Sequence, residues 1–392
     1  MISATRRAAA ALSIEDLRTL ARRRLPRSVF EFIDGGSEDE LTLKANRAAF
    51  ERLRLVPRVL VDVSEPDLRT DVVGGLASAP FVIAPMGSCA LAWPEADLAI
   101  ARAASAFGIP YTLSTMATTS LERLADQVQG RLWFQLYVLR DETANDKLVS
   151  RAREAGYEAL VVTVDLQAGG KRERDLRNGI SIPLRMTPRH LFEAATRPAW
   201  ALGIVRGGLP QFENVRGLMG EETAGLTIAA KVGQNLNAAF DWEDLARLRD
   251  RWPRKLLVKG VLHPSDAVRL SQLGVDGIWV SNHGGRQLDG AIASVDALRS
   301  IAQAVEGKVS LLIDSGVRRG VDVLKARAMG AEAVAIGRAA LFGAAAAGES
   351  GVRQALKILT DELTLAMKLS GVASIRHVDH SILDPNSTKG GN

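Results

Sequence analysis

From residue 80 onward one rhythm repeats: a short apolar, β-branched run, a polar turn, then a helical pattern of ten or more residues. The runs are Phe81 to Ala84, Tyr111 to Ser114, Leu132 to Tyr137, Ala159 to Val164, Lys255 to Lys259, Gly277 to Ser281, Val309 to Ile313 and Ala333 to Ile336, eight in all. Strands separated by helices pair in parallel through right-handed crossovers. Eight such units suit a closed α/β architecture, the (β/α)8 TIM barrel, better than an open sheet, and chemistry in such barrels gathers where strands end and loops begin. With 392 residues, of which 47% are hydrophobic and 24% charged, the chain can bury one large core, so residues 1–392 read as a single domain.

Two stretches depart from the rhythm. Upstream, Ser13 with Asp16 three positions later marks a helix start, and the Leu17, Leu20 and Ala21 spacing carries that helix to Pro26. A second helix, from Val29 to Phe32, is expected to stop at Gly35-Gly36. After the fourth run the pattern lapses between Ile180 and Thr227. This insertion holds Pro183, Pro188, Pro198 and Pro210, and sets Phe192, Trp200 and Phe212 among Arg185, Arg189, Arg197 and Arg206. Apolar and aromatic groups beside arginines suit either a lid over the active site or a segment lying in a membrane interface.

The single cysteine, Cys89, cannot form an internal disulfide, which fits a reducing cytoplasm. Basic residues give a net charge of +5 but are interleaved with acidic ones, so no polybasic block points to nucleic acid. No apolar run reaches the ~18 residues that would span a bilayer, and acidic residues from Glu15 onward leave the N-terminal apolar stretch too short for a signal peptide. Neither a His-x-x-x-His nor a cysteine pair offers a metal site, and no Walker or Gly-x-Gly-x-x-Gly turn implies a nicotinamide or other nucleotide of those classes.

The densest chemistry follows the sixth run, in Ser281-Asn282-His283-Gly284-Gly285-Arg286-Gln287-Leu288-Asp289. Glycines there let backbone approach a ligand, His283 offers a base, and Arg286 offers a guanidinium able to bind a carboxylate through two parallel hydrogen bonds. Position alone leaves open that His283 is a satisfied loop histidine and Arg286 a surface charge. His190, His263, His377 and His380 have no comparable setting. Asp165, at the end of the fourth run, is placed to orient an imidazole and equally to cap its own loop. The seventh and eighth runs end in Asp314-Ser315-Gly316-Val317-Arg318-Arg319-Gly320 and Gly337-Arg338, small residues and arginines where (β/α)8 barrels hold phosphate.

Together with Phe134-Gln135-Leu136-Tyr137, the His283 and Asp314 segments resemble the FMN-dependent 2-hydroxy-acid oxidase and dehydrogenase family, over about residues 13 to 380. The resemblance implies FMN as cofactor and oxidation of an (S)-2-hydroxy acid to a 2-oxo acid, the Cα–H bond breaking against flavin N5 while His283 takes a proton. It implies Asp165 as the orienting carboxylate, Arg172 and Arg286 as the groups on the substrate carboxylate, and Tyr137 as a partner of the substrate hydroxyl. For the flavin it implies Ala84-Pro85-Met86-Gly87, Ser114, Gln135, Thr163 and Ser281 around the ring, and Lys259 beside N1 and O2. Asp314 and Arg318 match the ribityl and phosphate contacts, with Gly316, Gly337 and Arg338 completing the phosphate site. Quinone or oxygen as electron acceptor and a homotetrameric assembly follow from the same resemblance.

Two positions depart from the family pattern. Phe32 stands where a tyrosine usually touches the substrate carboxylate, and Gly87 stands where the oxidases commonly carry alanine. Gly87, with the Gly170-Lys171-Arg172-Glu173-Arg174-Asp175-Leu176 loop, resembles the mandelate- and lactate-dehydrogenase branch. That favours a bulky or aromatic substrate such as mandelate, or lactate, and an insertion that contacts the inner face of a membrane peripherally. An FMN-dependent isomerase of a phosphorylated substrate, such as a type 2 isopentenyl-diphosphate isomerase, would share the phosphate loops without needing His283 and Arg286 in this arrangement. A non-catalytic flavin-binding scaffold is the other alternative, and Phe32 makes it conceivable.

Overall fold

Several helix starts in this chain are set by side-chain caps. Four helices precede the barrel: α1 (Ala4–Ala9), α2 (Ile14–Arg24), α3 (Arg27–Asp34) and α4 (Leu41–Arg52). Ser13 accepts from the Asp16 N–H while Asp16 reaches back to the Ser13 N–H, the reciprocal box that opens α2. Ile14, Leu17 and Ala21 form the buried face of α2, which packs against the C-terminal helical segment Arg338–Ser370, kinked at Ala347 and Gly348. The structure is a computed structural model and describes residues 3–179, 187–208, 210–218 and 234–388.

All eight expected runs are strands, with ends within two residues of those read from the sequence. After a short antiparallel hairpin of β1 (Thr70–Val72) and β2 (Gly75–Ala77) come β3 (Phe81–Ile83), β4 (Tyr111–Ser114), β5 (Leu132–Tyr137), β6 (Ala159–Thr163), β7 (Lys255–Val261), β8 (Gly277–Val280), β9 (Ser310–Ile313) and β10 (Ala333–Ile336). Strands β3 to β10 pair in parallel in chain order, and β10 closes the barrel on β3. Strand β7 outruns its expected end because a bulge at Gly260 lets pairing resume at Val261. Gly260 has φ +106, and a Cβ there would lie 2.6 Å from the Asp165 Cβ, so a side chain is excluded where β7 passes that carboxylate.

Because successive strand residues face opposite sides, the barrel has two cores. One fills the space between strands and outer helices; the other fills the lumen with Val82, Trp133, Val161, Leu257, Trp279, Leu312 and Ala333. The β1–β2 hairpin adds Val72, Val73 and Ala77 to the lumen cluster, so it plugs the end where strands begin. Arg131, just before β5, donates to the carbonyls of Val72 (2.8 Å) and Gly75 (2.7 Å) and pairs with Glu158, which fixes the plug. Strands of three residues carry too little periodicity to be read in advance, so the plug was not among the expected elements. With that end sealed, the mouth where strands end is the place left for a ligand.

Of the insertion, Ile180, Pro183, Arg185 and Thr227 lie outside the described residues. The described part includes two helices, Pro188–Ala195 and Pro198–Gly207, each begun by a proline that needs no N–H partner. Glu193 accepts the Ser28 N–H at 3.0 Å, and the Trp200 indole N–H donates to the Leu91 carbonyl at 2.7 Å, so both helices dock beside the barrel mouth. Leu191, Phe192, Leu202 and Val205 on these helices are exposed. Among the described residues, no helix is long and apolar enough to cross a membrane.

Leu257 is fully buried in the lumen. Leu257→Ala is expected to lower the unfolding free energy by about 2–5 kcal/mol in urea titration. A loss under about 1 kcal/mol would mean that the two lumen tryptophans collapse into the gap rather than acting as a rigid layer.

Candidate active site

The loop after β8 takes an unusual path: His283 (φ +58), Gly284 (φ +69) and Gly285 (φ +71) are all left-handed. For a residue with a side chain this conformation costs on the order of 1–3 kcal/mol and persists only where the surroundings impose it. Here the surroundings are largely α4. Asn46 of α4 and Asn282 exchange two amide hydrogen bonds, at 2.9 and 2.7 Å, and both side chains are buried. Asn282 Oδ1 also accepts the Gly285 N–H at 3.2 Å, and Ser281 Oγ accepts the His283 N–H at 3.0 Å. At the end of the loop Asp289 accepts the N–H groups of Leu41 (3.1 Å) and Thr42 (2.8 Å), supplying the helix cap that Glu40 does not. Asn46 was missed by sequence reasoning: one polar residue on a helix gives no signal of a partner 236 positions away.

This loop places His283 Nδ1 3.0 Å from Asp165 Oδ1, and His283 Nε2 3.4 Å from the Tyr137 hydroxyl. Burial alone would raise the Asp165 carboxyl, but its contact with His283 and the nearby Lys259 ammonium outweigh it and hold it below the usual carboxylate range. An ionised Asp165 favours the tautomer with the proton on Nδ1, leaving Nε2 to accept. Gln287 ties the two loops together: its amide N–H groups donate to the carbonyls of Asp165 (3.0 Å) and Ala168 (2.8 Å), and its oxygen accepts the Gly170 N–H (3.1 Å).

Arg172 and Arg286 flank the ring of Phe32, their guanidinium carbons 5.6 and 5.3 Å from its centroid. Arg172 Nε pairs with Asp175 Oδ2 at 2.7 Å. Arg286 Nη1 donates to the Phe32 (2.7 Å) and Gly35 (3.1 Å) carbonyls, at the end of α3. Burial, then repulsion from Arg172 and Arg338, pushes Arg286 down to about 9, which leaves it charged at neutral pH. Two cations in this proximity provide a site for an anionic group.

A second group of side chains occupies the neighbouring strand ends. Ser114 Oγ donates to Gln135 Oε1 (3.0 Å), Lys259 Nζ donates to Ser281 Oγ (2.9 Å), and Ser281 Oγ donates to Asp314 Oδ1 (2.6 Å). Burial would lower Lys259, but Asp314 and Asp165 more than compensate, so the buried ammonium stays charged. Gln135 Nε2 and Thr163 Oγ1 are buried with no protein partner. Ala84-Pro85-Met86-Gly87 leaves β3 beside Gly337, whose Cβ would lie 3.8 Å from the Ala84 Cβ and 4.0 Å from the Met86 sulfur. Further round, Arg318 is pushed down to about 9 by burial and by Arg338 and Arg47. Arg338 donates to the carbonyls of Ile33, Gly284 and Gly35 at 2.8 to 3.0 Å. Gly316, with φ +96, turns the chain tightly against Asn46. The polar and charged candidates singled out from the sequence therefore lie at the strand-end mouth or on the loops that leave it, with Phe32 reaching them from α3.

Comparison with known proteins adds independent findings. The pattern of the FMN-dependent dehydrogenase family matches residues 21–385. The (S)-mandelate dehydrogenase of Pseudomonas putida is 45% identical over 365 residues, 93% of this chain and 91% of that protein. An L-lactate dehydrogenase of Caulobacter sp. (strain K31) is 41% identical over 372 residues, covering 95% of this chain and 98% of that protein. Among solved structures, a monotopic membrane protein (S)-mandelate dehydrogenase superposes with a TM-score of 0.92 at 42% identity, covering 96% of this chain and 99% of that one. A mandelate oxidase with (S)-4-hydroxymandelic acid gives 0.81 at 40% identity, covering 95% and 98%.

Proposed function

The chain belongs to the FMN-dependent dehydrogenase family and is an FMN-dependent oxidoreductase of 2-hydroxy acids; we propose that it converts an (S)-2-hydroxy acid to the 2-oxo acid with His283 as the base. The observation that carries the residue assignment is the 3.0 Å contact between His283 Nδ1 and an ionised Asp165, in a loop that also presents Arg286. The chemistry supplied by bound FMN is acceptance of the two electrons lost by the substrate carbon. Arg172 and Arg286 hold the carboxylate, and the Tyr137 hydroxyl, 3.4 Å from His283 Nε2, orients the substrate hydroxyl toward the base. Nε2 takes the proton, and the Asp165 carboxylate stabilises the imidazolium that results.

The residues present fit FMN. The unpartnered Gln135 amide and Thr163 hydroxyl, with Ser114 and Ser281, match the polar edge of a flavin ring, and the charged Lys259 favours negative charge there. Arg318, Arg338 and the Gly316 and Gly337 turns match its phosphate, and Asp314 its ribityl chain. An isomerase of a phosphorylated substrate is not favoured, because it gives no role to the Asp165–His283 pair beside two guanidinium groups.

The apolar Phe32 ring between the two guanidinium groups supports a bulky or aromatic substrate such as mandelate, with lactate the smaller candidate. Exposed Leu191, Phe192, Leu202 and Val205, close to Arg189 and Arg206, support peripheral contact with an anionic membrane face and a quinone as acceptor in preference to oxygen. Exposed Val59, Leu60 and Leu369 lie on two segments joined by the Arg58 N–H to the Ser370 carbonyl, and apolar groups exposed on these segments support assembly into a homotetramer.

Anaerobic addition of (S)-mandelate or (S)-lactate is expected to bleach the flavin absorbance, and flavin that stays oxidised with every 2-hydroxy acid would refute the reading. His283→Ala should lose about 10²-fold or more in turnover while retaining flavin. Arg318→Met should purify with less flavin, measured as the ratio of visible to ultraviolet absorbance, if this guanidinium holds the phosphate. Phe32→Tyr restores a hydroxyl between the two guanidinium groups and should lower KM for a simple 2-hydroxy acid by about tenfold, as expected for a hydrogen bond to a charged group; an unchanged or raised KM counts against this placement.

A further inference from the structure

The paired arginines carry more charge than the protein neutralises. Among the described residues, Arg172 with Asp175 is the sole ion pair that either makes, and the Asp175 side chain is 8% exposed. Arg286 donates instead to neutral carbonyls of Phe32 and Gly35. Of the neighbouring charges, Arg174 pairs with Asp34 and Glu40, Arg18 with Asp34, and Glu31 with Arg27, while Arg338, bonded to carbonyls, belongs to the phosphate side of the mouth. Two guanidinium charges against one carboxylate leave the clamp itself with a single net positive charge. Resting on the reading that Arg172 and Arg286 hold the substrate carboxylate, we propose that Asp175 is a specificity-determining residue that matches this clamp to acids with one carboxylate and disfavours dicarboxylates.

The selection is electrostatic. A monoanion brings the clamp to neutrality, whereas a dianion leaves an excess negative charge where few waters remain to solvate it. At separations near ~5 Å, one unit charge in a protein-like medium is a large fraction of a binding energy. Asp175 also occupies Arg172 Nε, which directs recognition to the terminal Nη groups. Phe32 has no hydroxyl to offer as a further donor, so charge balance weighs more heavily here than in a site with one. Asp175 acts through Arg172 rather than on the substrate, and no electron or proton transfer is assigned to it.

Oxamate and oxalate test this, because they share size and shape and differ by one negative charge. Their affinities for the flavin-loaded enzyme are measured by calorimetry at neutral pH and constant ionic strength, and the oxalate-to-oxamate ratio is the readout. Asp175→Asn should raise that ratio by about tenfold or more over the wild type, and Asp175→Glu should leave it near the wild-type value. Simple misplacement of Arg172 would weaken both ligands together and leave the ratio unmoved. Should Asp175→Asn fail to fold, Asp175→Ser removes the same charge and is read in its place. An unchanged ratio in the charge-removing variant overturns the proposal. Arg286→Gln separates the two levels: if it weakens oxamate while Asp175→Asn leaves the ratio alone, only the role of Asp175 fails. If Arg286→Gln binds oxamate as tightly as the wild type, the carboxylate clamp itself is wrong.

Discussion

Burying positive charge at the barrel mouth is the constraint around which this molecule is arranged. Lys259, Arg286, Arg318 and Arg338 are gathered at one end of a plugged barrel, and desolvation works against the charged form of each. Isolated charges in such a place would be prohibitive. The carbonyls at the end of α3 answer part of this demand: Phe32, Ile33 and Gly35 accept from Arg286 and Arg338, where the helix dipole is negative. Asp165 and Asp314 answer another part at Lys259. The N-terminal helices are therefore a wall of the site, and the charge left over suits a phosphate on one side and a carboxylate on the other.

A second dependence runs through α4. The left-handed path from His283 to Gly285 aims an imidazole at Asp165, and no local preference of the chain would hold it there. The Asn46–Asn282 amide pair and the Asp289 cap hold the loop at both ends against one helix, each satisfying buried groups that would otherwise be orphaned. The same helix, α4, thus fixes the loop path that sets the His283 imidazole against Asp165.

The two departures from the family pattern fall where they bear on the ligand. Phe32 lies between the guanidinium groups of Arg172 and Arg286, so the lost hydroxyl removes a donor from the place where an anion is expected. Gly87 lies so close to Met116 that a Cβ would come within 2.9 Å of the Met116 Cβ, so a larger residue there would require the neighbouring loop to shift. The residue at position 87 is therefore tied to the packing of the loops after β3 and β4.

The barrel was legible in the sequence because alternating apolar runs and helical patterns are properties of neighbouring residues, and parallel closure brings every strand end to one mouth. Whereas Lys259 came only from the family resemblance, His283, Asp165, Asp314 and Arg318 could for that reason be singled out from their places after or near strand ends. Their pairing could not. The choice between Asp165 as a loop cap and Asp165 as a partner of His283 stayed open until the fold set them 3.0 Å apart across 118 positions. The three-residue strands of the plug, the Asn46 contact, the Asp289 cap and the single counter-charge at Asp175 were likewise decided by tertiary structure. Periodicity is written in the spacing of near neighbours, whereas the environment of a buried polar group is set by whichever distant segment the packed core brings against it.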